Sequence, residues 1–462
     1  MIFPFACRSL LLVCMICVCT GFAHAQIQVD LFPVFGYGPF GQRSVAAFPP
    51  RSEDHLEVKG IPDEVIEHMI VVHNLQPFQL LHNRYLRGET TQAQYEKLMG
   101  SWGIDSSAVT DAEVDQQLVA LVGSNQDGEI VVILDADNDE DFSNEIIHLF
   151  PPPMPNASLE QEAQPSPRRL IQQIEYEWFN GKEIEQKSVI VSFSPDKGNV
   201  SIKSDNPLHQ KYYLDFSIPL YRTGITLLNG KEYAVAISNG FSGEYFFTPG
   251  FYGASMIIWD ADSAWKSQAE GNIPYKVGEV FTLNNHLQYE FTSIDKWGKS
   301  AVITFVGETD RPEGYTDNFF APGFTGLTLA EDTISIENFR GSYVLLDFWG
   351  TWCAPCIEGI PDLKKIHTEY APKGLQMVGI AAQESSREAV KEFVEKREMP
   401  WMHTYELLSR NHDPALHSPQ TATHRYKIVS YPTFILIDPE GKILFRTSRM
   451  IELEEFLKKI SM

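Results

Sequence analysis

The sequence predicts an α/β domain at the C-terminal end of the chain, preceded by a mixed helical and mostly antiparallel β region. The first observation is that strand-like and helix-like segments alternate from Val344 onward, which is typical of α/β domains. The second is a series of short β-rich segments between turn signals from about Leu170 to Gly307, which favours antiparallel sheets. The third is the length of 462 residues, which exceeds one ordinary domain.

The first residues and the overall charge restrict where the protein works. Residues 1–25 contain one arginine, a short apolar run and a small-x-small site, which predicts a secretory signal peptide cleaved after Ala25. The alternative is an uncleaved anchor, but the apolar run from Leu10 to Cys19 is short for about 30 Å of hydrocarbon. The formal net charge of −24 argues against nucleic acid and anionic membrane surfaces as partners. We therefore expect a protein of the periplasm or cell envelope.

The segment that follows the signal peptide, residues 26–125, is predicted to be mainly helical. Val65, Met69 and Val72 recur at a spacing that places them on one face of a helix. The polar sequence around these residues is consistent with an amphipathic helix that packs one side against a core.

Two further parts are predicted from composition. Residues 126–315 are expected to form a β-rich domain that contains a proline-rich linker at Phe150–Arg169. Residues 316–462 are expected to form the α/β domain. The stretch from Asn318 to the end carries 19 acidic and 16 basic residues, a net charge of −3 out of −24, so the two sides of this boundary differ in surface character.

The elements of the C-terminal domain follow in order along the chain. A β-branched and aromatic strand over Val344–Trp349 leads into a helix that starts at Cys353. The later strands and helices are indicated in turn by "LQMVGIAA", "SREAVKEFVEKRE", "TFILID", "KILFRT" and "ELEEFLKKI". The two last strands flank a "PEG" turn and are expected to form a hairpin.

The mature chain keeps only the cysteines Cys353 and Cys356, because the other four lie in the signal peptide. Two intervening residues let the sulfurs bond across one helical turn, and the unpaired N–H groups at a helix start favour a thiolate. We expect Cys353 to be the exposed nucleophile and Cys356 the buried thiol that resolves a mixed disulfide. The alternatives are a static disulfide or half of a zinc site, although zinc prefers four ligands and no second cysteine pair remains.

Several motifs together are similar to those of a known family. They are "DFWGTWCAPC", "SYPTFILIDPEGK", "APGFTGLTL" and "GLQMVGIA", spread over about Asp317–Met462. With them, this part of the chain resembles the thioredoxin superfamily, and in particular its secreted TlpA/ResA-type thiol-disulfide oxidoreductases. The resemblance implies a thioredoxin-like fold and a protein-disulfide oxidoreductase without a cofactor. Upstream, "YRTGITLLNGKEYAVAISNG" resembles domains attached to such modules in envelope proteins of Bacteroidetes-like bacteria, which implies no activity.

The resemblance assigns roles to residues on both sides of the cysteine pair. Trp352 matches the tryptophan that shields the pair, and Pro432 matches the cis-proline of the family. Tyr431, before that proline, is expected to lend its backbone to an extended substrate as a strand would. Thr433, after it, is expected to contribute to the same substrate-binding surface.

Proton handling at the pair is one point where the sequence departs from the family, and the Ala354-Pro355 dipeptide, which differs from the common Gly-Pro, is another. Asp347 matches the buried carboxylate of thioredoxins, and a burial-raised pKa would suit it to accept the proton of Cys356. The alternative is an acid at a strand end that reaches water. In this branch a glutamate usually stands three residues after the second cysteine, but here that place is Gly359. Glu358 lies about 100° around the helix and is expected to face away from the cysteines.

Asp135, Asp137 and Asp139 form a candidate calcium site. They fit places one, three and five of an EF-hand loop, but Glu140 takes the glycine place and Ile146 stands at place twelve. The pattern is compatible with calcium and with a solvated acidic turn after a strand.

Three functional hypotheses follow. The first is an envelope thiol-disulfide oxidoreductase that reduces protein disulfides, with a membrane electron donor and a use in cytochrome c maturation. The second is a thiol peroxidase of the alkyl-hydroperoxide-reductase type, although the segment before Cys353 lacks the proline of that motif and its threonine is two residues away. The third is an envelope ligand-binding protein with an auxiliary redox domain.

Overall fold

The structure is a computed structural model that describes residues 25–41, 45–46, 56–151, 169–197, 212–239, 253–265, 274–407 and 421–460. The predicted signal peptide up to residue 24 and most of the proline-rich linker lie outside the described residues. Within these ranges, no helix has the length and apolar character needed to cross a lipid bilayer.

The first third of the chain combines strands with two helices. Its elements are β1 Gln26–Asp30, β2 Phe32–Phe35, β3 Val45–Ala46, β4 Glu67–Asn74, α1 Pro77–Leu86, α2 Gln92–Trp102, β5 Gln117–Ser124, β6 Ile130–Leu134 and β7 Ile147–Phe150. The prediction that residues 26–125 are mainly helical is therefore wrong.

The segment around Met69 shows why that prediction failed. Met69 and Val72 lie in β4, which pairs antiparallel with β5. Met69 packs into one core, whereas Val72 packs with Val65 into a second core on the other side of the sheet. A strand buried on both faces carries apolar side chains at nearly every position, so a three- and four-residue spacing appears without a helix.

The middle of the chain is built from antiparallel strands, as predicted. They are β8 Leu170–Phe179, β9 Ile184–Lys197, β10 Tyr212–Ser217, β11 Leu220–Leu228, β12 Lys231–Ser238, β13 Ser255–Asp260, β14 Tyr275–Lys276, β15 Val280–Leu283, β16 Leu287–Ile294 and β17 Ser300–Glu308. The strands upstream of residue 309 form sheets in the orders β4-β5-β6-β7, β3-β10-β9-β8, β1-β17-β16-β15 and β14-β13-β12-β11-β2.

Two large hydrophobic cores lie between pairs of these sheets, in addition to the smaller core of Val65 and Val72. One, which contains Met69, lies among α1, α2 and the sheets of β4–β7 and β8–β10, and the other lies among β1, β11–β13 and β15–β17. Because β5 pairs with β6, hydrogen bonds cross the predicted boundary between residues 125 and 126. That boundary therefore does not separate two structural units.

The C-terminal part has the predicted α/β order. Its elements are β18 Thr325–Leu327, β19 Thr333–Ser335, β20 Tyr343–Trp349, α3 Ala354–Glu358, α4 Ile360–Tyr370, β21 Leu375–Glu384, α5 Arg387–Lys396, β22 Met402–Leu407, α6 Ala422–Arg425, β23 Thr433–Ile437, β24 Ile443–Thr447 and α7 Met450–Leu457. The sheet order is β22-β21-β20-β23-β24, in which β20, β21 and β22 are parallel, β23 is antiparallel to β20, and β24 is antiparallel to β23 and therefore runs in the direction of β20. This arrangement confirms the expected thioredoxin-like fold.

Both faces of this sheet are covered, which fixes the direction of each side chain of β20. Leu345 and Trp349 pack into the core beneath α3, α4, α5 and α7. Leu346 and Phe348 pack into the opposite core with α6. Since side chains alternate along a strand, Asp347 lies on the same face as Leu345 and Trp349, beneath the helices that carry the cysteines.

Candidate active site

The turn between β20 and α3 brings Trp352 over the cysteine pair. A Cβ on Gly350 would lie 2.5 Å from the indole Nε1 of Trp352, so only glycine leaves room for the ring to fold back here. The indole N–H donates to the carbonyl of Ala382 at 3.0 Å, and the ring packs edge-on against Tyr431 at 5.2 Å. Trp352 nevertheless stays 51% exposed. It therefore offers an apolar surface beside the pair.

Cys353 and Cys356 form a disulfide with an S–S distance of 1.99 Å. Cys353 is the N-cap of α3, and its sulfur lies 3.3 Å from the backbone nitrogen of Cys356, which donates to it. The two residues are 4% and 5% exposed, so the expectation that Cys353 would be exposed is wrong for the oxidised form. The disulfide turns the sulfur of Cys353 toward α3, and both residues pack into the core beneath the helices.

The helix after the pair is interrupted at Gly359, where α3 ends and α4 begins. Pro361 follows at the start of α4, and a proline has no N–H to continue the hydrogen-bond ladder of the preceding turn. Gly359 keeps a helical φ of −77°, so its backbone does not require glycine. A Cβ there would lie 3.2 Å from the terminal methyl of Met450, which shows that Met450 occupies the space beside Gly359.

Asp347 lies at a cavity beneath the disulfide. It is 1% exposed, so it is not an acid that reaches bulk water. Neither carboxylate oxygen has a hydrogen-bond partner among the described residues. The cavity of about 210 Å³ is lined by Asp347, Cys356, Gly359 and Pro432 together with neighbouring side chains, among them Ser448. Burial raises the pKa of Asp347 from its ordinary 3.8 to about 7.

The loop before β23 completes the site. The Tyr431–Pro432 peptide bond is cis, as the resemblance implied. The Thr433 hydroxyl donates to the carbonyl of Ser430 at 2.8 Å and closes this turn, and the Thr433 side chain is buried. Its contribution to substrate binding stays a prediction. Tyr431 is half-buried, and burial together with the charge of Glu406 raises its pKa to about 12.

Glu384 is a site residue that sequence reasoning missed. It is buried at the end of β21 and accepts hydrogen bonds from the backbone N–H of Thr351 at 2.6 Å and from its hydroxyl at 2.7 Å. Gln383 has a φ of 57°, and the pairing of β21 with β22 is irregular between Ala381 and Glu384. Such a bulge redirects a side chain, which is why simple strand alternation did not indicate Glu384. The available signal was that Glu384 ends β21, which is parallel to β20, so its side chain lies at the same edge of the sheet as the turn that carries Cys353.

Asp135, Asp137 and Asp139 come together in the upstream region, away from the cysteine pair in sequence. One oxygen from each lies within 4.8 Å of the others. Asp135 is buried and accepts from the backbone N–H groups of Asp139 at 3.1 Å and Glu140 at 2.9 Å. Glu140 has a φ of 61°, the left-handed conformation that glycine supplies at this place in calcium loops. The donor set and the loop conformation fit calcium, which stays a prediction.

The topology of the sheet, the bonded cysteines and the cis-proline loop define a thioredoxin-like disulfide oxidoreductase. Comparisons with known proteins agree with this class. The AhpC/TSA family model matches residues 319–446. The ResA thiol-disulfide oxidoreductase of Bacillus thuringiensis is 31% identical over 144 residues, which are 30% of this chain and 76% of that protein. The thioredoxin-like protein YneN of Bacillus subtilis is 33% identical over 124 residues, 27% of this chain and 66% of that protein.

Solved structures also align with the C-terminal part of the chain. The thioredoxin domain of a thiol-disulfide oxidoreductase from Bacteroides vulgatus is 29% identical, with 31% of this chain and 96% of that one covered and a TM-score of 0.27. Because 76% of ResA is covered at 31% identity, the chain belongs to the ResA-type thiol-disulfide oxidoreductases through its C-terminal domain. It is a protein-disulfide oxidoreductase.

Proposed function

We propose that the protein is an exported oxidoreductase that reduces disulfides of proteins in the periplasm or cell envelope through Cys353 and Cys356. The observation that carries this proposal is the bonded pair at the start of α3, with Asp347 and Pro432 at the cavity behind it. The predicted signal peptide supports the location.

The reaction begins with the reduced pair. The thiolate of Cys353 attacks one sulfur of the substrate disulfide, that disulfide breaks, and the departing substrate sulfur takes a proton. The backbone N–H of Cys356 already points at the sulfur of Cys353, so a negative charge there gains a hydrogen bond and the favourable end of the helix dipole. The product of this step is a mixed disulfide between Cys353 and the substrate.

Resolution of the mixed disulfide uses Cys356 and Asp347. Cys356 loses its proton to Asp347 and attacks the sulfur of Cys353, which releases the second substrate thiol and forms the Cys353–Cys356 disulfide. Two electrons pass from the pair to the substrate. A pKa of about 7 leaves Asp347 able both to take this proton and to give it up near neutrality. The cavity of about 210 Å³ gives room for water between the two groups.

The substrate contacts follow from the exposed groups around the pair. Trp352, which packs edge-on against Tyr431, and Val429, which precedes Tyr431 by two residues in the chain, are exposed apolar side chains. The backbone before Pro432 is suited to pair with an extended segment of a substrate protein. Thr433 would act by holding the turn of Ser430, because its hydroxyl is already engaged there.

Regeneration of the dithiol needs a donor of two electrons and two protons. A dithiol carried by a membrane protein would supply both, because it would attack the Cys353–Cys356 disulfide, reduce it to two thiols and itself become a disulfide. Reduction of apocytochrome c disulfides before haem attachment is the use we propose, since haem attachment requires free cysteine thiols in the apoprotein.

The test is to trap the substrate. With Cys356→Ser the first attack proceeds but nothing resolves it, so we expect mixed disulfides with envelope proteins that disappear on treatment with a reductant. Cys353→Ser is the matched control and should trap nothing and lose insulin-disulfide reduction. If both variants trap equally, or if the wild-type protein leaves insulin disulfides intact, the proposal is wrong.

A thiol peroxidase is the second candidate, because the family model that matches residues 319–446 is that of AhpC/TSA. In the structure the hydroxyl of Thr351 is bound to Glu384, so it does not serve Cys353. A peroxidase would consume hydrogen peroxide even in Cys356→Ser, because its first step needs one cysteine only. The disulfide reductase would lose turnover in the same variant.

A further inference from the structure

The segment from Thr421 to Tyr431 contains α6 and the loop that leads to the cis-proline. Hydrogen bonds fix the first half of this segment. The backbone N–H and hydroxyl of Thr423 both donate to the half-buried Glu406 of β22. The backbone N–H of Ile428 donates to the carbonyl of Thr423 at 2.9 Å. After these hydrogen-bonded residues, Val429 and Ser430 are exposed. The position of this exposed tip of the loop therefore depends on the contacts that fix its base, around Lys427.

At that base, the side chain of Lys427 extends out of the C-terminal domain and contacts the upstream region. Its ammonium group forms an ion pair with Glu279, which lies between β14 and β15 of the upstream region. Both side chains are largely buried, with 17% and 22% of their surface exposed. The same oxygen of Glu279 accepts the backbone N–H of Lys276 at 2.7 Å, so the carboxylate is held in place before it meets Lys427.

The backbone of Lys427 needs such support. Its φ is 50°, a left-handed conformation that a residue with a Cβ seldom adopts and that surrounding contacts must hold. Arg446 of β24 supplies part of it, donating to the carbonyls of Tyr426 at 2.6 Å and Lys427 at 3.1 Å. The same guanidinium donates to the carbonyl of Tyr315, which is in the segment that joins the two parts of the chain.

The ion pair does not sit within a continuously packed interface. A cavity of about 430 Å³ opens beside it and is lined from both sides, by Tyr275 and Glu279 upstream and by His424 and Lys427 in the redox domain. Packing alone therefore does not fix the loop at this point. The ion pair between Glu279 and Lys427 lies at the edge of the cavity and connects the upstream region to the loop before Pro432.

We propose that Glu279 is a positioning residue for the disulfide exchange reaction: through Lys427 it fixes the loop that presents Tyr431 and Pro432 to a protein substrate. The upstream region is then part of the substrate-binding geometry and not an independent attachment. This inference rests on the proposed contact between the substrate backbone and the residue before Pro432. It assigns a role in substrate binding, and it leaves the chemistry of the cysteines unchanged.

The test compares a protein disulfide with a small one in the full mature chain. Lys427→Gln and Glu279→Gln each remove the ion pair, and we expect the KM for insulin to rise by a factor of about 3 to 5 while kcat changes little, which is the upper end of the effect of one ion pair near a protein surface. Reduction of bis(2-hydroxyethyl) disulfide should stay at the wild-type rate, because this molecule is too small to use the loop. The double variant Glu279→Lys with Lys427→Glu restores an ion pair with reversed charges but not the hydrogen bond from the backbone N–H of Lys276, so it should recover part of the lost KM and stay between the single variants and the wild type.

Lys365→Gln is the matched control, since Lys365 forms an exposed ion pair with Asp362 inside α4 and does not contact the loop. It should leave both substrates unaffected. An unchanged insulin KM in Lys427→Gln, with a wild-type protein that reduces insulin, overturns the inference alone. Loss of activity toward both substrates in the single and double variants would show general damage to the domain and also overturn it. A wild-type protein inactive on insulin would overturn the proposed function first.

Discussion

Replacing Asp347 with asparagine tests the central electrostatic feature of the site. The substitution keeps the size of the side chain and removes its ability to ionise. Asp347 is buried, its oxygens have no partners among the described residues, and burial raises its pKa to about 7. The wild-type protein must therefore bury an unpaired carboxylate whenever the pH exceeds that value, and the variant never does.

The magnitude follows from the two pKa values. In the unfolded chain Asp347 titrates near 3.8 and in the folded chain at about 7, and at about 1.4 kcal/mol per pKa unit the difference corresponds to about 4 kcal/mol. Between these values the folded protein holds a proton that the unfolded chain has released. Wild-type stability is therefore lost as the pH rises from about 4 to about 7. Asp347→Asn should match the wild type near pH 4 and exceed it by about 4 kcal/mol above pH 7.

The measurement is urea unfolding of the oxidised proteins at a series of pH values, because the bonded cysteines then do not titrate. Asp332→Asn, at an exposed acid of the same domain, is the control and should show no such rise. In the reduced enzyme, Asp347→Asn should also release substrates slowly from the mixed disulfide and lose the acidic limb of the pH–rate profile near pH 7. A stability difference between variant and wild type that is the same at every pH would refute the reasoning.

Two other perturbations have defined outcomes. Glu384→Leu removes both accepting oxygens, so the backbone N–H and the hydroxyl of Thr351 lose their partner; we expect about 1–3 kcal/mol less unfolding free energy and a change in Trp352 fluorescence, and an unchanged protein would contradict the assigned contact. Calcium at 100 times its dissociation constant should raise the unfolding free energy by about 2.7 kcal/mol, seen as a higher melting temperature. The double variant Asp137→Asn with Asp139→Asn should lose this rise, and the absence of any shift in millimolar calcium would exclude the site.

Much of the C-terminal domain could be predicted from the sequence, because its signals are local. Alternating strands and helices are encoded in short windows, and the spacing of Cys353 and Cys356 restricts their chemistry. The burial of Cys353 was missed because it depends on the direction of the disulfide within the core. Glu384 was missed because a bulge in β21 turns it toward Thr351, and no local pattern encodes that bulge.

The upstream region was harder to predict for a different physical reason. Strand β4 is buried on both faces, so the alternation that identifies a strand is absent and its spacing imitates a helix. Other strands of the upstream region pair with strands that are distant in sequence, since β2 pairs with β11 and β3 with β10. Pairings between distant segments leave no mark in a short window of sequence. The ion pair of Glu279 with Lys427 is of the same kind.

The pairing of β1 with β17 sets an order of events while the chain is being made. Gln26 finds its partner only at Thr304, and Asp30 at Ser300. Until that stretch has left the ribosome or the export channel, β1 presents open backbone groups that can recruit any other extended chain. Fragments that end before residue 300 should therefore aggregate, whereas Cys353 and Cys356 leave the channel after β17, when the upstream sheets can already form.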